Sequence, residues 1–363
     1  MHIFKWVTKL KIYKKLISLI TIIFVFGFIV LIIVNPALCR DGAINGILVC
    51  GRIIIPSLYP FTVCVLFLMK SGIVNRLDFI TPVTVKILGI NAREFIIMLF
   101  SFIGGFPVGA KLINECVASG KTDKTRGGVM LNYCINAGPA FIIGAVGIGI
   151  TGSREVGYIL LLSHILSALI LCLLCRFFLP PQKENAKFRK SNIALTDAFV
   201  LSAAEAASAV LNVCAFIILF SAINTYLTEF SEHIPILKWI LLLTEVTNGI
   251  TNTNNILLIS FLLGFSGICV WCQIISAAKA VKINYFLFVL FRVLHGAISA
   301  VLTFVLLKIF SISIETFSNN RSYSLKTLYS TPALSISMLI MCIVFMISVA
   351  TKKYSSKILE DVV

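Results

Sequence analysis

SFIGGFPVGAKLINE (residues 101–115) gathers Gly104, Gly105, Pro107 and Gly109 inside a long apolar stretch, with Lys111 and Glu115 just beyond. Glycine and proline both disfavour a helix interior, so a helix break is expected here. The two charges sit one turn apart, as a surface ion pair or a lid over the break would. What such a break means depends on the solvent around it. The chain has 363 residues, 59% hydrophobic and 13% charged, with a mean hydropathy of +1.01, whereas soluble domains run near 25% charged. No soluble core hides that much apolar surface. Lipid is the expected solvent, and the length suits about eight to ten helical segments of ~20 residues each.

Lys and Arg number 31 against 15 Asp and Glu, a formal charge of +16. In a membrane protein this is the excess of basic residues expected in cytoplasmic loops. No basic helix is interleaved with aromatics, so a nucleic-acid partner is not expected. The 11 cysteines fall mostly in apolar spans, among them Cys64, Cys116, Cys134, Cys214 and Cys342, where thiols act as small hydrophobes. The pairs Cys172/Cys175 and Cys269/Cys272 have metal-ligand spacing but lack a polar surround, so neither metal nor cofactor is expected.

Working outward, Lys5, Lys9, Lys11, Lys14 and Lys15 precede LISLITIIFVFGFIVLIIV (16–34). This core exceeds a signal-peptide apolar region and has no small-residue cleavage pattern, so residues 1–41 read as a retained anchor helix with its N-terminus inside. Residues 43–55 suggest an interfacial helix, and 56–73 a second span opening at Pro56. The span 129–150 is interrupted at Gly138–Pro139, and 156–179 is unbroken. Lys183, Lys187, Arg189 and Lys190 mark a cytoplasmic linker (181–195) between a first half (42–180) and a second (196–312). With the chain inside near residue 92 and again near 183, segments 94–118 and 129–150 must make one net crossing. Lys111, Lys121, Lys124 and Arg126 favour 94–118 as the re-entrant one. In the second half, 236–255 turns polar abruptly, 256–281 breaks at Gly264–Gly267, and 285–310 is intact. An outer loop, a last span (333–350) and the basic tail at Lys352, Lys353 and Lys357 complete 313–363, with the C-terminus inside.

LFSFIGGFPVGAKLI in the first half echoes LISFLLGFSGICVWCQII in the second, and SHILSALI echoes LHGAISAVL. Opposed span directions make this the pattern of two pseudo-symmetric, inverted halves with broken helices. Breaks within hydrocarbon persist only where protein or a water-lined cavity satisfies the freed backbone, and half-helix ends can hold polar atoms of a solute. The candidate substrate-binding residues are therefore Gly104, Gly105, Pro107, Gly109, Asn136, Pro139, Glu245, Asn248, Ser266, Gly267 and Gln273. His164, His295 and Arg292 are candidates for proton coupling. Catalytic signatures are absent: there is no HExxH, GxSxG or P-loop, and GGFPVGAK fails the P-loop spacing.

PSLYPF (56–61), GGFPVGAKL (104–112), NAGPAFIIGAVG (136–147), GYILLLSHILSAL (157–169), LTEVTNGI (243–250) and GFSGICVWCQ (264–273) together resemble the sporulation integral membrane protein YlbJ family, of the wider nucleoside-recognition (Gate) domain group. The resemblance spans roughly 50–310 in matching order. It departs at Ile135-Asn136, where that family has two asparagines, and at Gly267–Cys272, which replaces a Gly-Leu-Ser-Val run. It implies a sporulation-associated protein of the cell membrane that recognises a small polar or nucleoside-like solute. Lipid, an unidentified solute, and either self-association or other sporulation membrane proteins would be its partners. The expectation is an all-α, multi-pass transporter rather than an enzyme, the alternative being a non-transporting scaffold for spore envelope or cortex assembly.

Overall fold

The computed structural model describes residues 18–19, 21–23, 25–72, 79–180 and 194–311. The N-terminal lysines, linker residues 181–193, the last span (333–350) and the basic tail lie outside the described residues. Among the described residues every regular element is helical. Four helices among the described residues are long and apolar enough to cross a membrane, or up to six if each of two bent pairs is one span. The protein is thus an all-α, multi-pass membrane protein, as its composition requires.

Helix α1 (Pro36–Val49) continues through a π turn (Cys50–Ile54) into α2 (Ile55–Lys70). The expected interfacial helix and second span therefore form one continuous helical run. Pro56 has no N–H to return to the preceding turn, and the π turn widens the backbone just before it. Both α1 and α2 pack along α9 (Leu195–Ser231), at 37 residues the longest helix among the described residues. Gly42 and Gly46, one turn apart, permit this. A Cβ on Gly42 would lie 2.8 Å from the Ala222 Cα, and one on Gly46 2.7 Å from the Ile218 Cα. Small residues spaced four apart are how membrane helices bring backbones together.

After the short α3 (Thr81–Leu88) come α4 (Ala92–Gly104) and α5 (Phe106–Ala118). Asn91 caps α4 and Glu94 completes a capping box, the arrangement that satisfies two free N–H groups reciprocally. Between α4 and α5 the chain reverses at Gly105, whose φ is +79°. Ser101 and Gly109, four residues to either side, face each other: a Cβ on Gly109 would stand 2.9 Å from the Ser101 Cβ. In a straight helix those positions would be about 12 Å apart. Segment 94–118 therefore folds back on itself as a helical hairpin, hairpin 1.

Next, α6 (Lys124–Met130) leads into an unwound stretch, and α7 (Ala140–Thr151, π-helical) follows. The interruption is longer than Gly138–Pro139, running from Leu131 to Gly138 through buried positions. Helix α8 (Arg154–Cys175) is intact, and α7 folds back along it. In the second half, α10 (Ile236–Thr244) and α11 (Val246–Thr251) meet at Glu245. A Cβ on Gly249 would lie 2.4 Å from the Leu242 carbonyl oxygen, so the chain folds back here too, forming hairpin 2. The sequence showed only a polar turn at this point. Then α12 (Ile256–Phe265) and α13 (Gly267–Ala277) run as one span broken at Ser266–Gly267, and α14 (Tyr285–Ile309) is unbroken.

The two echoing sequences thus fold differently. LFSFIGGFPVGAKLI turns back on itself, whereas LISFLLGFSGICVWCQII continues across a break. Both need φ above zero at the interruption, at Gly105 in one and at Ser266 and Gly267 in the other, so local composition alone does not tell a reversal from a bend.

Gly109 is the tightest of these contacts: a Cβ there would lie 1.9 Å from the Cys134 carbonyl oxygen of the unwound stretch. Gly109→Ala is expected to cost about 1–3 kcal/mol through overpacking, read as a lower thermal midpoint of the detergent-purified protein. Gly144→Ala, where nothing stands within 4 Å, is the matched control and is expected to leave the midpoint unchanged or raised.

Candidate functional site

Hairpin 1 places its tip against the unwound stretch. A Cβ on Gly105 would lie 3.5 Å from the Gly138 nitrogen, and one on Gly138 3.2 Å from the Ile103 carbonyl oxygen. Gly104 is buried on the same turn with Val108 against it, and Pro107 occupies the first turn of α5, where no N–H is needed. Hairpin 2 places its tip against the second break: a Cβ on Gly267 would lie 3.1 Å from the Val246 nitrogen. Each hairpin tip therefore meets one interrupted helix, Gly105 with Gly138 and Glu245–Val246 with Gly267.

Because the unwound stretch is buried, its backbone must be satisfied by protein. Arg292 on α14 supplies two of the donors. Its Nη1 donates to the Ile135 carbonyl at 2.7 Å, and its Nη2 donates to the Asn132 carbonyl. A guanidinium fork suits two adjacent acceptors as an ammonium does not. The Ala137 N–H donates to His164 Nε2 at 3.0 Å. Asn136 donates through Nδ2 to Ser101 Oγ at 2.8 Å and to the Tyr133 carbonyl at 3.0 Å, and so ties the stretch to hairpin 1. Ser101 escaped the sequence reading. Its only signal was being a lone hydroxyl in the apolar run before Gly104.

His164 and His295 stack with ring centroids 4.5 Å apart. His164 accepts the Ala137 N–H on Nε2, so the neutral ring carries its proton on Nδ1. His295 Nε2 lies 3.3 Å from the His164 carbonyl oxygen, which can only accept, so His295 donates there and its Nδ1 is an acceptor when neutral. The pair lies between the two tip–break junctions. On one side His164 holds Ala137, next to Gly138. On the other, α12 presses on α14 at the second ring: a Cβ on Gly264 would be 2.8 Å from the His295 carbonyl carbon and 2.6 Å from the Gly296 nitrogen. Ser266 and Gly267 follow within a turn.

At the second junction Glu245 is buried. Its two oxygens accept the Thr247 N–H at 3.0 Å and the Asn248 N–H at 2.7 Å, so it caps α11. Ser266 is buried in the left-handed region, and its hydroxyl donates to the Gly264 carbonyl at 3.2 Å. Trp271, part of the departure from the family pattern, donates its indole N–H to the Phe265 carbonyl at 2.9 Å across the break. Its ring also packs at a tilt against Phe265 and edge-on against Phe288. Gln273 is buried and points Nε2 to Cys269 Sγ at 3.4 Å. Asn248 is half-buried on α11, which lies against α7, and Pro139 is half-buried at the start of α7. Asn136 Oδ1, His164 Nδ1, Ser163 Oγ, Arg292 Nε and His295 Nδ1 are buried and have no hydrogen-bond partner among the described residues.

Two further expectations resolve differently. Arg126, read as a loop cation, is buried: it grips Glu94 at 2.5 and 2.7 Å and donates to the Pro180 and Gly89 carbonyls. Lys111 is not at a site mouth but in an ion-pair cluster with Glu115 and Glu205.

Fold and site together define a class: polytopic α-helical membrane proteins in which folded-back helical hairpins meet interrupted helices. Among curated proteins the chain is similar to the sporulation integral membrane protein YlbJ of Bacillus subtilis (strain 168), 24% identical over 325 residues, covering 76% of this chain and 79% of that one. That similarity supports the YlbJ-family assignment made from the motifs. No family profile matches the chain, and no solved structure does.

Arg292→Met would strand the Asn132 and Ile135 carbonyls. The expected cost is about 1–3 kcal/mol for each, seen as a lowered thermal midpoint. Amide hydrogen exchange across 131–138 is expected to rise well before global unfolding, because the unwound stretch loses its partner first.

Proposed function

We propose that this protein binds a small polar solute at the two tip–break junctions and moves it across the membrane of a sporulating cell. The observation that carries the reading is the set of buried polar atoms around the junctions that have no partner among the described residues, on Asn136, Ser163, His164, Arg292 and His295. Leaving a buried donor or acceptor unpaired costs about 1–3 kcal/mol, and a guest molecule with its water would recover that cost. Both junctions are built from chain interruptions, the form in which transporters present backbone groups to a solute near mid-membrane. Each half then reads as one unit: a re-entrant hairpin, an interrupted helix meeting its tip, and a long helix bearing one histidine of the stacked pair. In this pairing Gly138 corresponds to Gly267 and Gly105 to Glu245. The relative's name supports the link to sporulation, and the excess of basic residues in the linker and termini supports cytoplasmic ends.

A scaffold reading, in which the protein only anchors spore-envelope assembly, needs the loops rather than the junctions. Asn136 is a poor probe because it also ties the unwound stretch to hairpin 1, so Asn248 is the better one. Nucleosides and small dicarboxylates are to be screened for thermal stabilisation of the purified chain, followed by uptake of any hit into proteoliposomes. Asn248→Ala is expected to keep the unliganded midpoint and to weaken solute binding about tenfold or more, about 1.4 kcal/mol. No stabilising solute, together with normal sporulation supported by Asn248→Ala, would favour the scaffold.

A further inference from the structure

Between α12 and α14 lies a cluster of hydroxyls that neither junction uses. Ser260 Oγ stands 2.9 Å from Ser299 Oγ and 2.8 Å from Thr303 Oγ1, and all three residues are fully buried. Buried hydroxyls elsewhere return to a carbonyl about one turn back: Thr62 to Leu58, Ser167 to His164 and Ser202 to Ala198. That is the usual habit of Ser and Thr within helices. Among the described residues, the Ser260, Ser299 and Thr303 hydroxyls bond only to each other. They form a line across the helix interface, in which Ser260 of α12 joins two successive turns of α14.

Counting protons leaves this line with a loose end. Three hydroxyls carry three protons, and two hydrogen bonds use two of them. His295, also fully buried, precedes Ser299 by one turn on the same face of α14. Its Nδ1 is the acceptor of the neutral ring and has no partner among the described residues. A spare donor and a spare acceptor therefore stand one turn apart on one helix. Side chains so placed have Cβ atoms about 5–6 Å apart, and a helical serine leans toward the preceding turn. The gap is too long for a direct bond and suits one water making two bonds of about 2.8 Å. Two polar groups are enough to hold a buried water. The titratable and charged groups facing His295 are His164, stacked on it from α8, and Arg292, one turn earlier on α14; α12 carries none. At the far end of the line, Ser260 follows the exposed cap Asn255 by little more than one turn.

We propose that a buried water joins Ser299 to His295 Nδ1, and that Thr303, Ser260, Ser299 and this water are the route by which a proton reaches His295 from the Asn255 end of α12. Each hydroxyl hands its own proton forward and takes one from the group behind it. A solvent proton enters at Thr303, the water's proton bonds to Nδ1, and every hydroxyl and the water end neutral. The ring becomes an imidazolium carrying the one added charge, and the reverse sequence unloads it. The route stands independently of the transport reading; only its use to drive a solute rests on that reading.

Nitrogen-15 NMR of the full-length, histidine-labelled chain in lipid vesicles tests the route without any solute. Of the four histidines, His2 and His233 are first replaced by Gln, which leaves the stacked pair, and the two rings are told apart by their tautomers. Magnetisation is expected to pass between water and the unprotonated His295 Nδ1 in this background and in the buried-hydroxyl control Ser202→Ala. Ser299→Ala is expected to lose that transfer, and Ser299→Thr, which keeps the hydroxyl, to retain it. No transfer in the background, or transfer untouched by Ser299→Ala, would overturn the bridging water. Loss in Ser299→Thr as well would assign the effect to packing and exclude Ser299 as the water's holder. Ser260→Ala and Thr303→Val are expected to keep the transfer but slow exchange of the His295 ring proton with solvent about tenfold, the weight of one hydrogen bond. Exchange unchanged in both would overturn the route.

Discussion

A chain interrupted at the depth of a bilayer has to find partners for the peptide groups it frees, because lipid supplies none. Here the demand concentrates on residues 131–138, and Arg292 meets part of it from a distant helix. Its guanidinium reaches from α14 to two carbonyls of a stretch some 160 positions earlier in the chain, while His164 takes the Ala137 N–H. A buried cation is costly, and hydrogen bonds to charged donors are among the stronger ones in proteins. Joining the two liabilities turns each into the other's compensation. It also makes the first half's fold depend on a helix of the second.

Close approach is the second requirement. Gly105 against Gly138, Gly109 against the Cys134 carbonyl, Gly264 against Gly296 and Gly267 against Val246 are contacts in which backbone meets backbone. Side chains at these points would hold the interrupted segments apart and expose the groups that Arg292 and His164 satisfy. Ser266 shows the same pressure from another direction. A serine is held in the left-handed region, ordinarily costing about 1–2 kcal/mol, while its hydroxyl and the Trp271 indole close carbonyls beside the break.

Between the two tip–break junctions the stacked histidines act as a shared wall. Each ring spends its Nε2 on backbone and leaves its Nδ1 without a partner among the described residues. Residues first considered as proton carriers thus hold the backbone in place.

The solvent, the helical class and the positions of the interruptions were legible in the residues alone, because hydropathy, glycine and proline act locally. The membrane-family resemblance was legible for the same reason, in short motifs preserved in order. Hairpin 2 was not, since a fold-back at Glu245 and a bend at Ser266 use the same small and polar residues. Nor were the partners legible. That Asn136 binds Ser101, that Arg126 holds Glu94, and that Gly105 meets Gly138 rather than any part of 256–281 depend on packing between segments far apart in the chain. The sequence by itself determined that buried backbone would be left open, and where. Only the tertiary structure decided which side chains close it, because a hydrogen bond needs its partner within about 3 Å, and no local pattern encodes which distant helix arrives there.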